Sequence, residues 1–186
     1  IPHNNGEAPA GERQEVPDFG IYADRDWPME RKGYAAMISR MDRDVGRIMQ
    51  LVDDLGLTGR TVLFFTSDNG PMPDTEFTRY FDSNGPLRGG KRDLYEGGIR
   101  VPMIVSWKGK IIPGTRNGHP SAFWDFLPTA CEIAGISVPE QMDGISFLPA
   151  LKGEEQPVHE SLYWEFMEKG GKQAIRKGKW KLVRNQ

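Results

Sequence analysis

The chain has 186 residues, 38% hydrophobic and 27% charged, with 24 Lys and Arg against 26 Asp and Glu for a formal net charge of -2. This is the composition of a globular protein with a core, and the near balance of charge excludes the basic field of a nucleic-acid-binding domain. Cys131 is the single cysteine, so no intrachain disulfide is possible, and no apolar run is long enough to predict a membrane-spanning helix.

The chain opens Ile1-Pro2-His3-Asn4-Asn5, with neither Met nor a basic and apolar leader; the expectation is that processing or truncation removed what came before. Residues 1–27 are rich in Pro, Gly and acidic residues and read as a loop or extended arm, with Asp26 near a helix start. Pro28 suits the first turn and Glu30 its positive end. Tyr34, Met37, Ile38, Met41, Val45, Ile48, Met49, Val52 and Leu55 then recur at helical spacing. Gly56 closes the helix.

Thr61 to Thr66 is a continuous β-prone run, and Val101 to Trp107 is a second. Continuous rather than alternating apolarity predicts strands covered on both faces, as in a parallel sheet. Between them, residues 67–100 form a long Gly- and Pro-rich segment, a length that marks a functional or disordered loop. Ser121 to Ala134 reads as a helix interrupted early by Pro128 and closed by Gly135, and residues 136–160 as loop with a helical turn near Phe147 to Leu151. Leu162 to Phe166, Gln173 to Arg176 and Lys179 to Arg184 read as short strands of an antiparallel appendage beginning near residue 158. Two doubly covered strands do not make a parallel α/β sheet, so the chain is expected to be part of a larger domain.

Ser67-Asp68-Asn69-Gly70 follows the first strand, where ligands gather in open α/β sheets. A carboxylate beside an amide offers hard oxygen ligands for calcium or magnesium; the same residues also make an ordinary turn. The run from Leu87 to Pro102 joins paired glycines to Arg88, Lys91, Arg92 and Arg100, which suits either an oxyanion site or a solvated loop. His3 is a possible proton donor or anion ligand; His119 and His159 read as surface or structural. Cys131, in an apolar helical context, reads as a buried small hydrophobe. Trp124, Phe126, Tyr163, Trp164 and Trp180 read as core, and Glu165 as either a sugar-hydroxyl partner or an outward strand residue.

Five stretches in order resemble the formylglycine-dependent sulfatase family over nearly the whole chain. They are Thr61 to Pro71, Gly85 to Pro102, Asp125-Phe126-Leu127-Pro128-Thr129, Asp143 to Pro149 and Trp180-Lys181-Leu182-Val183. The resemblance implies an alkaline-phosphatase-like α/β fold, a mixed sheet flanked by helices and present here only in part, with a small C-terminal antiparallel β subdomain. On this reading residues 1–157 are the C-terminal part of the catalytic domain and 158–186 the start of the subdomain. It also implies sulfate-ester hydrolysis by a formylglycine whose aldehyde hydrate attacks sulfur, releases the alcohol and then expels sulfate, with Ca2+ (or Mg2+) clamping the reacting oxygens. By position, Asp68 and Asn69 are implied metal ligands, Lys91 and His3 catalytic and sulfate-binding residues, and Trp164, Glu165 and Gln173 lining of the substrate mouth.

The departure is the nucleophile. No Cys/Ser-x-Pro-Ser-Arg motif occurs among the 186 residues, so the formylglycine is expected in a missing N-terminal part and the chain alone is expected to have no turnover. Two other readings stand beside the first: a phosphodiester or phosphonate ester hydrolase of the same superfamily, and a non-catalytic truncated relative. Sulfate esters, among them sulfated carbohydrates, are the expected substrates. The family habit implies a periplasmic or secreted location, and exposed apolar strands imply that the isolated chain self-associates.

Overall fold

The computed structural model describes residues 14–72 and 76–185. They fall into two compact units divided between Thr61 and Val62.

The first unit is one long helix with a packed arm. Helix α1, Met29–Asp54, begins after Pro28 and carries Glu30 in its first turn. It ends in a Schellman arrangement, with Gly56 left-handed at φ 67°, its N–H on Asp53 O at 2.9 Å and Leu57 N–H on Val52 O at 2.9 Å. Only Gly takes that φ at no steric cost, which is why the helix stops there. The arm crosses α1 at Gly33, where an added Cβ would lie 2.5 Å from Gln14 O. Tyr22 stacks on Trp27 and bonds Ser39 through its hydroxyl at 2.9 Å. The predicted helical stripe is present, but Ile48, Met49 and Leu55 in its second half are exposed.

In the second unit, strands β1 (Leu63–Thr66) and β2 (Met103–Ser106) pair antiparallel, Leu63 opposite Ser106 and Thr66 opposite Met103. The parallel pairing expected from apolar runs is therefore corrected. A parallel pair takes a long crossover, usually through a helix, whereas the described part of this connection holds only the short helices α2 (Glu76–Tyr80) and α3 (Glu96–Ile99) and brings the chain back antiparallel to its start. Nor is either strand covered on both faces by the described residues: Phe65 is exposed, and Ile104 is 63% exposed.

The core behind β1 comes from the following helices. Phe64 meets Phe126 and Phe147 edge-to-face at 5.3 and 6.3 Å. Helix α4 (Phe126–Ala134) ends at left-handed Gly135, and α5 (Leu148–Lys152) follows. Pro128 sits in the first turn of α4, where its missing N–H costs nothing, so it starts the helix rather than interrupting it. Cys131 is buried, as its context predicted.

Strands β3 (Leu162–Phe166), β4 (Lys172–Lys177) and β5 (Trp180–Asn185) form an antiparallel meander. Cross-strand partners share a face. One face carries Leu162, Trp164, Ala174, Lys172, Lys181, Val183 and Asn185, and the other Tyr163, Glu165, Gln173, Ile175, Leu182 and Arg184. Leu162 and Ala174 are buried, while Tyr163, Leu182 and Trp180 are exposed, Trp180 at 74%. The predicted aromatic core is thus corrected for Tyr163 and Trp180, which are exposed, and in part for Phe126, which keeps its contact with Phe64 but is 47% exposed. No described helix is long and apolar enough to cross a membrane.

Candidate active-site loops

Two loops fold onto each other at the end of β1. In the first, Ser67 Oγ bonds Asn69 O at 2.9 Å and Asn69 Nδ2 bonds Gly70 O at 2.8 Å. With its nitrogen so engaged, Asn69 keeps Oδ1, which accepts no hydrogen bond among the described residues, as an open acceptor. Asp68 beside it is exposed. These are two hard oxygen donors, the kind calcium and magnesium take. Among the described residues no group of three or more His, Cys, Asp or Glu is arranged to hold a metal, so they fit part of a six- to eight-oxygen calcium shell rather than the whole of one.

The second loop is locked to the first by backbone. Gly70 N–H donates to Gly98 O at 2.8 Å, and Lys91 N–H to Pro71 O at 2.7 Å. The approach is close enough to demand glycine: a Cβ on Gly70 would lie 1.7 Å from Gly97 O, and one on Gly98 would lie 2.1 Å from Asp93 O. The paired glycines therefore serve backbone contact. Lys91 is half-buried, and its ammonium has no partner among the described residues.

Lys91 stands inside a tight turn from Gly90 to Asp93. Asp93 N–H returns to Gly90 O at 2.9 Å, and Gly90 N–H donates to Asp93 Oδ2 at 3.1 Å. Arg92 takes a left-handed φ of 73°, unusual for a residue with a Cβ. Lys172, on β4, donates to Arg92 O at 2.9 Å and to Asp93 Oδ1 at 2.8 Å. Burial pushes the Asp93 carboxyl up, but the Lys172 hydrogen bond, the Gly90 N–H and the nearby cations outweigh it, so the carboxyl is held below its usual range. Two further ties join the same sheet face to this segment: Lys181 Nζ to Glu96 Oε1 at 2.8 Å, and Asn185 Nδ2 to Tyr95 Oη at 3.2 Å. Asn84 Nδ2 bonds Gly89 O, and the Arg88 guanidinium lies 4.0 Å over the Tyr95 ring.

The structure separates the three expected mouth residues. Trp164 packs against Trp124 at 5.6 Å with the Lys181 ammonium 5.3 Å over its ring. Glu165 and Gln173 are cross-strand partners on the opposite face, where Glu165 Oε1 accepts from Tyr163 Oη at 2.6 Å and Gln173 Nε2 at 2.8 Å. The Tyr163 hydroxyl, then the Gln173 amide, hold the Glu165 carboxyl below its ordinary range. His3 lies outside the described residues. Sequence reasoning missed Lys172 and Asp93, which are 79 residues apart, a separation that no local motif marks.

The family model for sulfatase matches residues 3–136, and one described as N-sulphoglucosamine sulphohydrolase, C-terminal, matches residues 89–185. Among curated relatives, arylsulfatase A of Bos taurus is 37% identical over 155 residues, covering 81% of this chain and 30% of its own. Steryl-sulfatase of Mus musculus is 37% identical over 136 residues, covering 70% and 22%. The chain thus spans less than a third of these relatives' length. Among solved structures, Ps i-CgsB in complex with k-i-k-neocarrahexaose superposes with TM-score 0.72 at 33% identity, covering 83% of this chain and 34% of that one. The phosphonate monoester hydrolase of Agrobacterium radiobacter superposes with TM-score 0.61 at 25% identity, covering 86% and 34%.

Proposed function

This chain belongs to the sulfatase family, and on that premise we propose that its parent protein hydrolyses sulfate esters, with sulfated carbohydrates as the substrate class. The observation that carries the reading is the pair of stapled loops: Lys91 is tied by its own N–H to the residue that ends the Asp68-Asn69-Gly70-Pro71 loop. A cation-ligating pair and a lysine on adjoining loops are what hydrolysis of an anionic ester needs. The carbohydrate class draws on the similarity to a protein solved with a neocarrahexaose.

In this reading Asp68 and Asn69 Oδ1 contribute to a Ca2+ site, with Mg2+ as the other candidate. When bound, such a cation neutralises charge on the ester oxygens and orients them. Lys91 brings its ammonium to the sulfate and the leaving oxygen, where negative charge develops. His3 acts beside the leaving group as a proton donor. Glu165 and Gln173, already bonded to each other, present a fixed polar pair for sugar hydroxyls, while Trp164, packed on Trp124 on the other face of the sheet, stands apart from that pair. The nucleophile is a formylglycine that the parent supplies outside these 186 residues, so the isolated chain is inactive.

The similarity to a phosphonate monoester hydrolase keeps phosphonate ester hydrolysis as the second reading. The deciding experiment is turnover of an aryl sulfate and an aryl phosphonate monoester by the full-length protein and its Lys91→Ala variant, with and without chelator. Expected are a preference for the sulfate, a fall of about 100-fold or more in kcat for Lys91→Ala, and loss on chelation reversed by Ca2+. A preference for the phosphonate, or full activity of Lys91→Ala, would sink the sulfatase reading.

A further inference from the structure

We propose that Lys172 and Asp93 are positioning residues for Lys91, so that the C-terminal sheet is a working part of the sulfate-handling site rather than an appendage to it. The inference rests on the role given to Lys91 above and deepens it. Lys91 occupies the second position of the Gly90–Asp93 turn, and a turn of four residues fixes where its side chain leaves the backbone. One end of that turn is held by Lys91 N–H on Pro71 O at 2.7 Å. The other end is held from β4: a single ammonium, that of Lys172, grips both Arg92 O and Asp93 Oδ1.

Asp93 joins the two halves of the clamp. One of its oxygens takes Lys172 and the other takes Gly90 N–H, so the carboxylate bridges the sheet to the start of the turn. The backbone gives a reason why a clamp is needed. Arg92 is left-handed at φ 73°, a conformation that residues other than Gly hold only when surroundings impose it. The second bond of Lys172, to Arg92 O, falls on that residue itself. Lys172 and Asn185 are opposed on β4 and β5, and Asn185 reaches Tyr95 two residues beyond Asp93. The sheet therefore meets the segment following Lys91 along a register, not at one accidental point. Lys172 and Asp93 touch neither sulfate nor the leaving oxygen; they act through Lys91.

The test uses the full-length protein and an aryl sulfate, comparing Lys172→Met, Asp93→Asn, the double variant, Lys172→Arg and Lys91→Ala. For Lys172→Met and Asp93→Asn we expect kcat/KM to fall about 10- to 100-fold, as misplacement of a catalytic group does, and competitive inhibition by inorganic sulfate to weaken. The double variant should lose no more than the worse single, because both break one clamp, and Lys172→Arg should recover most of the rate. Asp93→Asn is isosteric and keeps an acceptor for Gly90, so it carries the test where Lys172→Met fails to fold. If Lys91→Ala is inactive while Asp93→Asn keeps wild-type kcat, KM and sulfate inhibition, the clamp is wrong and the sulfatase reading stands. If Lys91→Ala is fully active, both fall.

Discussion

His159 Nε2 lies 2.7 Å from Asp125 Oδ1, across 34 residues of chain, and the Asp125 side chain is 1% exposed. The same carboxylate accepts Ala122 N–H at 2.7 Å and Ile145 N–H at 2.9 Å. Asp125 thus closes the start of α4, fixes the loop before α5 and anchors the approach to β3. A buried carboxylate with three donors is strongly held, and its removal leaves each donor unsatisfied. We expect Asp125→Ala to destabilise the protein by about 3 kcal/mol or more, and Asp125→Asn, which loses the charge and one acceptor, by about 1–3 kcal/mol. Urea unfolding measures both; a change under about 0.5 kcal/mol for Asp125→Ala would show that the network contributes little.

Glycines give a paired prediction of opposite sign. A Cβ on Gly70 would lie 1.7 Å from Gly97 O, so Gly70→Ala must pry the two loops apart. Gly46 sits within α1 with nothing within 4 Å of its missing Cβ. Gly70→Ala is expected to lower the melting temperature and, in the full-length protein, the turnover. Gly46→Ala should stabilise by about 0.5–1 kcal/mol through helix propensity. Equal melting temperatures for the two variants would contradict the loop geometry.

The two faces of the C-terminal sheet are tested by its tryptophans. Trp164 is half-buried against Trp124, whereas Trp180 is 74% exposed. Trp164→Ala should cost about 2–3 kcal/mol, less than a fully buried aromatic, and Trp180→Ala about 0.5 kcal/mol or less. Quenching by acrylamide should reach Trp180 first. The reverse ranking would mean that the strand register is shifted by one residue.

Two groups weaken the fold as pH falls, each in its own pH window. The Asp93 carboxyl is held low in the fold, burial being outweighed by Lys172 and Gly90. Its contribution is present above its unfolded value of about 3.9 and is lost as pH falls through the lower folded value. Asp93→Asn should therefore flatten the stability curve below about pH 4. His119 is held below its ordinary value, chiefly by burial, with Asp125 opposing and His159 adding. The unfolded chain then takes up a proton first, so stability declines as pH drops below about 6.5 toward the folded value. His119→Gln should remove that decline; a curve unchanged between pH 7 and 5 would contradict it.

Much of this was legible in the sequence because the signals were local. The α1 stripe with Pro28 and Gly56 at its ends, and three short strands separated by Gly-Gly and Gly-Lys turns, follow from spacing and turn chemistry that act within a few residues. Asp68 and Asn69 were legible as hard oxygen donors, because residue type alone fixes that chemistry.

Tertiary structure decided the rest, since it depends on which distant segments meet. An apolar run encodes burial but not strand direction, so β1 and β2 had to be seen paired to be known as antiparallel. The family resemblance gave Trp164, Glu165 and Gln173 a shared role, and the pleat put one of them on the far face. The purpose of Gly70, Gly97 and Gly98 is to let two backbones touch, which no glycine announces by itself. Asp93 and Lys172 look like ordinary surface charges in sequence. Only the fold brings them to 2.8 Å, because a salt bridge is set by where two chain segments arrive and not by what lies beside either one.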